Sequence, residues 1–209
     1  MSTTRVQLID KNTTVGTAAA EDTKIVFDGN AQDFHIGLDD SADSLIIGKG
    51  SALGTTSNIV IDENGHVTKP LQPAFAAKPA SNQSDINAVD AYVTILFGTE
   101  IFDQNGDFAP SPYGIFTAPV TGKYQLQVNL YVSDFDASAD YLQLDIVTSN
   151  RNYSALWETG SEDTYLTMNV VVLADMDASD TASVRIYQGG GGAQVDVRVP
   201  TVFSGHLVC

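Results

Sequence analysis

The sequence predicts an all-β protein, and three observations support this fold class. Apolar and polar residues alternate in runs such as KYQLQVNLYV and TASVRIYQ, a pattern typical of half-buried strands. Helix signals are weak, the best being a short turn near Ser84–Ala91 with Ser84 or Asp85 as its N-cap. Aromatic residues separated by turn-forming residues recur over one stretch, which favours a β-sandwich with aromatic anchors: Phe97, Phe102, Phe108, Tyr113, Phe116 and Tyr124.

The pattern of short apolar segments in residues 1–70 predicts a β stem rather than a self-contained domain. The segments VQLID, TKIVFDG, FHIGL, SLIIGKG and NIVIDENGHVT read as short strands, and Asn64-Gly65 is a strong hairpin signal. Large apolar residues are too few to close a core within one chain, yet too frequent for disorder. We therefore expect an intertwined stem in which three copies complete one another, with a small independent β domain as the alternative.

A proline-containing linker separates the stem from a second domain. Pro70, Pro73 and Pro79 interrupt strand pairing within Thr68–Ser81. The strands that follow are longer and are spaced as in an all-β sandwich. The predicted domains are residues 1–70 and 71–209.

Composition excludes several partners. The chain has 10 basic and 26 acidic residues, a net charge of −16, which argues against nucleic acid. No run approaches the ~18 apolar residues of a membrane span. The first residues, MSTTRVQLIDKNTT, lack the apolar core of a signal peptide, so we expect export by another route, such as release on a virus particle. The one cysteine, Cys209, cannot form an intrachain disulfide.

No catalytic constellation is visible, so the protein is not predicted to be an enzyme. His35, His66 and His206 are scattered and lack partners at metal-ligand spacing. No serine lies in a Gly-x-Ser-x-Gly context, and Cys209 has no adjacent histidine. The run Gly189–Gly192 lacks the lysine and helix of a phosphate loop, and it reads as a flexible apical loop.

Acidic loops are the weak candidates for a metal site. Asp103–Asp107 has the oxygen spacing of half a calcium loop but lacks its later ligands, so a tight β-turn is the better interpretation. Carboxylates gathered on two further loops could bind calcium or could be solvated loop tips; they are Asp134, Asp136 and Asp140, and Asp175, Asp177 and Asp180. No other cofactor is expected.

Two further sets of residues are candidates for contacts with partners. Tyr153, Trp157, Gly190 and Gly191 could touch a receptor if they lie on exposed loops, although a packed core explains Trp157 equally well. Gln125, Gln127 and Asn129 alternate with apolar residues, so they share the face of a strand opposite to the core. Uncharged amides on that face suit a subunit interface better than open solvent.

Residues 73–208 resemble the globular domain of complement C1q and its TNF-type relatives. The family's Ala-Phe pair stands at Ala74-Phe75, and Phe97, Asp103 and Phe108 match its next spacing. Phe116 follows one residue late, Gly122 and Tyr124 match, and Leu126 and Val128 replace two family aromatics. The closing strand matches at Thr201–Gly205. The resemblance implies a homotrimeric jelly roll built for recognition, in which some members bind calcium.

A second resemblance concerns the stem. The stretch from Phe27 to Val67 is similar to segments of structural proteins of marine and cyanobacterial phages that precede a receptor-binding knob. It implies a homotrimeric virion fibre or spike, attached through its stem to other virion proteins, with a knob that adheres to a host surface glycan or protein. The alternatives are a capsid (head) decoration protein and a non-viral secreted C1q-like lectin. An enzyme such as a depolymerase has little support.

Overall fold

The computed structural model describes residues 14–158 and 165–209, and every regular element within them is a β-strand. The chain divides into two compact units, Met1–Leu71 and Gln72–Cys209. The division falls inside the proline-containing segment Thr68–Ser81. The predicted strand VQLID lies outside the described residues.

The N-terminal unit is an antiparallel meander in which consecutive strands pair in the order β1-β2-β3-β4-β5. The strands are β1 (Thr23–Phe27), β2 (Phe34–Asp39), β3 (Ser44–Lys49), β4 (Ser57–Ile61) and β5 (Val67–Thr68). Asn64-Gly65 forms the predicted turn between β4 and β5, where Gly65 has φ +83° and its N–H donates to the Asp62 carbonyl at 2.9 Å.

The expectation that three copies complete one another in the stem stays a prediction. Among the described residues, each of the five strands pairs with its neighbours along the same chain, and β1 and β5 form the two edges of the sheet. What stays uncovered is one face of the sheet, where large apolar side chains such as Phe27 and Phe34 are 56% and 47% exposed.

The C-terminal unit consists of two antiparallel sheets packed face to face. The strands are β6 (Ala74–Lys78), β7 (Gln83–Ile86), β8 (Val93–Thr94), β9 (Thr99–Asp103), β10 (Phe108–Ala109), β11 (Ile115–Thr117), β12 (Gly122–Ser133), β13 (Tyr141–Thr148), β14 (Asn152–Glu158), β15 (Tyr165–Met176), β16 (Thr181–Gly189), β17 (Val195–Val197) and β18 (Val202–Leu207). A six-stranded sheet has the order β10-β11-β16-β13-β14, with β8 beside β16. A seven-stranded sheet has the order β7-β17-β12-β18-β6-β9, with β15 beside β12.

Period-two alternation explains how these strands form the core. Along β12, alternate residues from Tyr124 to Val132 are fully buried, as are Leu142, Leu144 and Ile146 of β13 on the opposing sheet. Phe75 lies at the centre of an aromatic cluster. Its ring stacks on Phe108 and Phe116 with centroids 4.9 and 4.8 Å away, and it meets the edge of Phe203 at 5.0 Å.

The predicted aromatic anchors divide into two groups. Phe97, Phe108, Phe116 and Tyr124 are buried, as expected. Phe102 and Tyr113 are 50% and 53% exposed, so the expectation that they anchor the core is wrong. Phe102 lies on the opposite side of β9 from the core, and Tyr113 lies in the turn between β10 and β11.

Two local predictions have opposite outcomes. The predicted helical turn at Ser84–Ala91 is wrong, because its first residues form β7 and pair with β17. The Asp196 carboxylate on β17 accepts hydrogen bonds from the Asp85 N–H at 2.8 Å and the Ser84 hydroxyl at 3.3 Å, so a distant residue satisfies groups that would have capped a helix. The turn at Asp103–Asp107 is confirmed, since the Asp103 carboxylate accepts three backbone N–H groups from Gly106, Asp107 and Phe108.

Candidate functional site

The amide residues of β12 lie on the face of the seven-stranded sheet that points away from the core. Gln127 is exposed, and Gln125 and Asn129 are half-buried. Across the β12–β15 ladder, Gln125 pairs with Leu173 and Gln127 pairs with Val171, whose side chains are 61% and 56% exposed. Amides and exposed aliphatic residues therefore alternate on one sheet face, a composition suited to contact with another protein surface.

The first acidic loop does not gather its carboxylates. Asp134 accepts hydrogen bonds from the guanidinium of Arg198 at 3.0 Å and from Ser133. Asp136 accepts the backbone N–H groups of Ser138 and Gly192, and these donors lower the pKa of its carboxyl. Both of these carboxylates thus already accept hydrogen bonds from protein donors.

The second acidic loop is likewise occupied by protein donors. Asp175 pairs with Arg151 at 3.0 Å, and Asp180 accepts the Asn150 amide at 3.1 Å and the Asp177 N–H at 2.8 Å. Within residues 14–158 and 165–209, no group of three or more histidine, cysteine or acidic side chains is placed to hold a metal ion. Asp175 and Asp177 line one surface depression together with Thr121 and Asn150, and calcium binding stays a prediction.

The predicted receptor contacts occupy different environments. Tyr153 and Trp157 lie on the side of β14 that faces β15 and the core; Tyr153 is half-buried against the core, and Trp157 is 44% exposed at the sheet edge. The glycine run is anchored: the Gln188 amide donates to the carbonyls of Gly190 and Gly192 at 2.8 and 2.9 Å. Gly191 is exposed with φ +76°.

A second surface of the C-terminal unit, which sequence patterns did not single out, brings aromatic, charged and amide side chains together. It covers the outward face of the six-stranded sheet, where register places Gln143 between Leu156 and Tyr187, and Asp145 beside Arg185. We call this surface the outer patch and define it as Tyr92, Tyr141, Gln143, Leu156, Arg185 and Tyr187.

The outer patch is built over one buried carboxylate. Arg185 Nε donates to Asp145 at 2.9 Å, and the Gln143 amide donates to the same carboxylate at 2.8 Å. The Arg185 guanidinium lies under the ring of Tyr92, 3.6 Å from its centroid, which leaves Tyr92 48% exposed. Asp145 itself is fully buried, so the ion pair fixes the arginine and, through it, the exposed ring.

Tyrosine rings in contact with one another extend the outer patch toward the glycine run. The ring of Tyr187 lies 5.0 Å from Tyr92 and 5.8 Å from Tyr141. Desolvation, together with the nearby Tyr141 and Asp90, raises the pKa of Tyr187 to about 12. Its hydroxyl therefore stays protonated and donates to Asp90 at 3.2 Å, and Asp90 also accepts the Gly190 N–H.

The side chains of the outer patch are of the kinds that suit non-covalent contacts with a ligand. It presents ring faces, an exposed leucine and amide and guanidinium donors, which suit stacking and hydrogen bonding to a polar ligand with apolar faces, such as a sugar. The alternation Tyr141-x-Gln143 in DYLQLD and Arg185-x-Tyr187 in VRIYQ was a usable signal. It became specific only when pairing placed the two strands side by side with Tyr92.

The described residues hold no helix long and apolar enough to cross a membrane.

Among curated proteins, none matches this chain. The globular domain of zebrafish complement 1qA protein is 20% identical with a TM-score of 0.49, covering 66% of this chain and 98% of that one. Murine APRIL at pH 5.0 is 12% identical with a TM-score of 0.49, covering 66% and 99%.

The PRD1 vertex protein P5 is 10% identical with a TM-score of 0.51, and the match covers 76% of this chain and 86% of that one. This likeness is one of fold. The model of the C1q domain family matches residues 74–208. Because this match spans well over half of the 209 residues and coincides with the two-sheet unit, the chain belongs to the C1q domain family.

Proposed function

We propose that this protein is a structural component of a phage virion, a homotrimeric fibre or spike whose C-terminal jelly roll adheres to the host surface. The observation that carries the proposal is the joining of a C1q-family sandwich to a separate β unit with an exposed apolar sheet face. C1q domains are typically trimeric binding modules, and the second unit supplies a surface for assembly.

The fold likeness to a virion protein supports this proposal. The vertex protein P5 of PRD1 matches a larger share of the chain than the C-terminal unit alone provides. The net charge of −16 suits a soluble surface appendage. In this proposal the N-terminal unit attaches to other virion proteins.

Adhesion is proposed to occur at the outer patch. Three weak sites on one trimer would gain strength through avidity. The ligand class that fits is a host-surface glycan, because tyrosine rings stack on sugar faces while Gln143 and Arg185 donate hydrogen bonds to hydroxyls. A protein ligand is the competing class, and the binding assay below separates the two.

The trimer is tested by light scattering with mass determination on the full chain. We expect three times the chain mass of 22.2 kDa. A monomeric full-length protein would contradict the proposal.

The location of the protein is tested by labelling virus particles with antibody against residues 72–209. Label at the tail supports a fibre, and label over the capsid supports a decoration protein. Protein found only outside particles supports a secreted lectin.

Adhesion is tested on an array of bacterial surface polysaccharides. Tyr92→Ala is expected to lower binding at least about tenfold, because it removes the exposed ring of the outer patch. Tyr113→Ala is the matched control, since Tyr113 is exposed to a similar extent, 53% against 48%, but lies in the β10–β11 turn. Equal effects of both substitutions, or binding only to host proteins, would contradict a glycan site at the outer patch.

A further inference from the structure

The N-terminal sheet carries a row of four isoleucines across its four longest strands. The antiparallel register places Ile25, Ile36, Ile47 and Ile59 side by side on one face. Ile25 and Ile36 are 50% and 38% exposed, and the other two are half-buried. A continuous aliphatic row of this kind is unusual on a free surface.

The rows on either side are apolar too. On one side Phe27 pairs with Phe34, and on the other side four aliphatic residues lie in register across β2 to β5: Leu38, Leu45, Ile61 and Val67. We call these ten side chains together the isoleucine face. No acidic residue belongs to it, although the chain contains 26 of them.

The opposite face of the same sheet is covered by its own chain along β2 and β3. His35 is fully buried there and its Nδ1 donates to the Gly50 carbonyl at 2.8 Å, which holds the β3–β4 loop against the sheet. Gly37 and Gly48 lie on this covered face, where an added Cβ would come within 2.7 Å of Leu53 and within 2.6 Å of the His35 ring. The isoleucine face has no such cover among the described residues of the unit.

We infer that the isoleucine face is a self-association surface, on which the same faces of two further copies of this chain pack. This inference rests on the homotrimer proposed above. C1q domains typically assemble in threes, so three copies of the N-terminal unit are held at high local concentration. When a threefold rotation brings the isoleucine face of each copy against those of the other two, the assembly is closed. Each apolar row then meets an apolar row of a neighbouring copy.

Charge favours like copies over a different partner. The face offers no carboxylate and no amide to recognise a polar surface, and the charged residue in register with it, Lys49, lies at the end of the phenylalanine row. A second copy supplies a complementary surface of the same chemistry. The apolar area buried between copies then stabilises the assembled stem.

Neighbouring residues on β1 provide a matched test in the full-length chain. Ile25 belongs to the isoleucine face, whereas Val26 points to the opposite face and is 37% exposed. In a Cys209→Ser background, Ile25→Cys and Val26→Cys are compared by the rate at which a thiol reagent labels each. We expect the thiol at position 25 to react at least about tenfold more slowly than the thiol at position 26.

Light scattering on the same samples separates the possible failures. A trimer in which the thiol at position 25 reacts as fast as that at 26 overturns the inference and leaves the homotrimer standing. A monomer overturns both. Deleting residues 1–13 tests whether those residues cover the face instead: protection that survives the deletion supports contact between copies, and protection lost while the mass stays trimeric overturns it. Oxidation of Ile36→Cys to an interchain disulfide is the expected positive result.

Discussion

Arg185 and Asp145 form an ion pair in which only the arginine reaches solvent. They face each other across the β13–β16 ladder, with Arg185 Nε 2.9 Å from the Asp145 carboxylate, and their side chains are 23% and 1% exposed. A carboxylate held beneath the sheet surface depends on its partners, because its hydration has been removed. The outer patch therefore rests on a charge that must remain paired.

We expect Arg185→Ala to destabilise the protein by about 2–4 kcal/mol, because it leaves Asp145 with the Gln143 amide as its remaining side-chain donor. The matched control is Arg151→Ala, since Arg151 pairs with Asp175 at 3.0 Å but both side chains are well exposed. Its loss should stay below about 1 kcal/mol. Urea unfolding at one fixed protein concentration measures both, and equal losses would show that burial does not govern the Arg185 pair.

Two glycines with the same backbone conformation allow the cost of steric overlap to be separated from the cost of backbone strain when each is replaced by alanine. Gly114 has φ +67° and Gly106 has φ +75°. A Cβ at Gly114 would lie 2.7 Å from the Cβ of the buried Phe97, whereas a Cβ at Gly106 meets nothing within 4 Å. Gly106→Ala should cost about 1 kcal/mol from strain alone, and Gly114→Ala about 3 kcal/mol or more. Thermal or urea unfolding measures the difference, and similar losses would contradict the packing explanation.

The seven-stranded sheet is expected to provide the trimer contact of the C-terminal unit. Val171→Lys places a charge among Gln125, Gln127 and Leu173 and should lower the mass toward that of a monomer in a fragment of residues 72–209, the compact unit. Leu156→Lys is the control, because Leu156 is also 56% exposed but lies on the other sheet. Light scattering checks both, and a trimer that survives Val171→Lys but not Leu156→Lys would move the interface to the outer patch.

The contribution of Asp107 to the free energy of unfolding should fall as the pH rises. Desolvation chiefly, and repulsion from Asp103, raise the pKa of Asp107 above its ordinary 3.8, against the Asn105 hydrogen bond. Folding therefore favours its protonated form, so this contribution is present below pH 3.8 and is lost as the pH rises through the raised pKa. Asp107→Asn should gain stability relative to the unmodified protein over that window. Melting temperatures at a series of pH values check this, and a constant difference would contradict it.

The contribution of Asp136 to the free energy of unfolding should change with pH in the opposite direction and rise as the pH rises. The backbone N–H groups of Ser138 and Gly192 lower the pKa of Asp136 below 3.8, so folding favours the carboxylate. Its contribution is present above pH 3.8 and is lost as the pH falls through the lowered pKa. Asp136→Asn should therefore lower the melting temperature at neutral pH, and the deficit should shrink in acid. A deficit that grows on acidification would show that the carboxylate is not stabilised by these donors.

The sequence by itself determined the all-β class and much of the aromatic core. These features depend on period-two alternation and turn chemistry, which act over a few residues. Phe108, Phe116 and Tyr124 are buried because alternation places them on core-facing sides of strands, and Phe97 is buried in the segment between β8 and β9.

The tertiary structure alone decided which residues from distant parts of the sequence come into contact. Ser84–Ala91 begins as a strand rather than a helix because Asp196, more than a hundred residues away, bonds to it. On the acidic loops, arginines and backbone N–H groups from other segments donate to individual carboxylates. Tyr92 and Arg185 form a surface only through sheet pairing between distant segments. Such contacts arise between residues far apart in sequence, whose distance and direction no local pattern specifies.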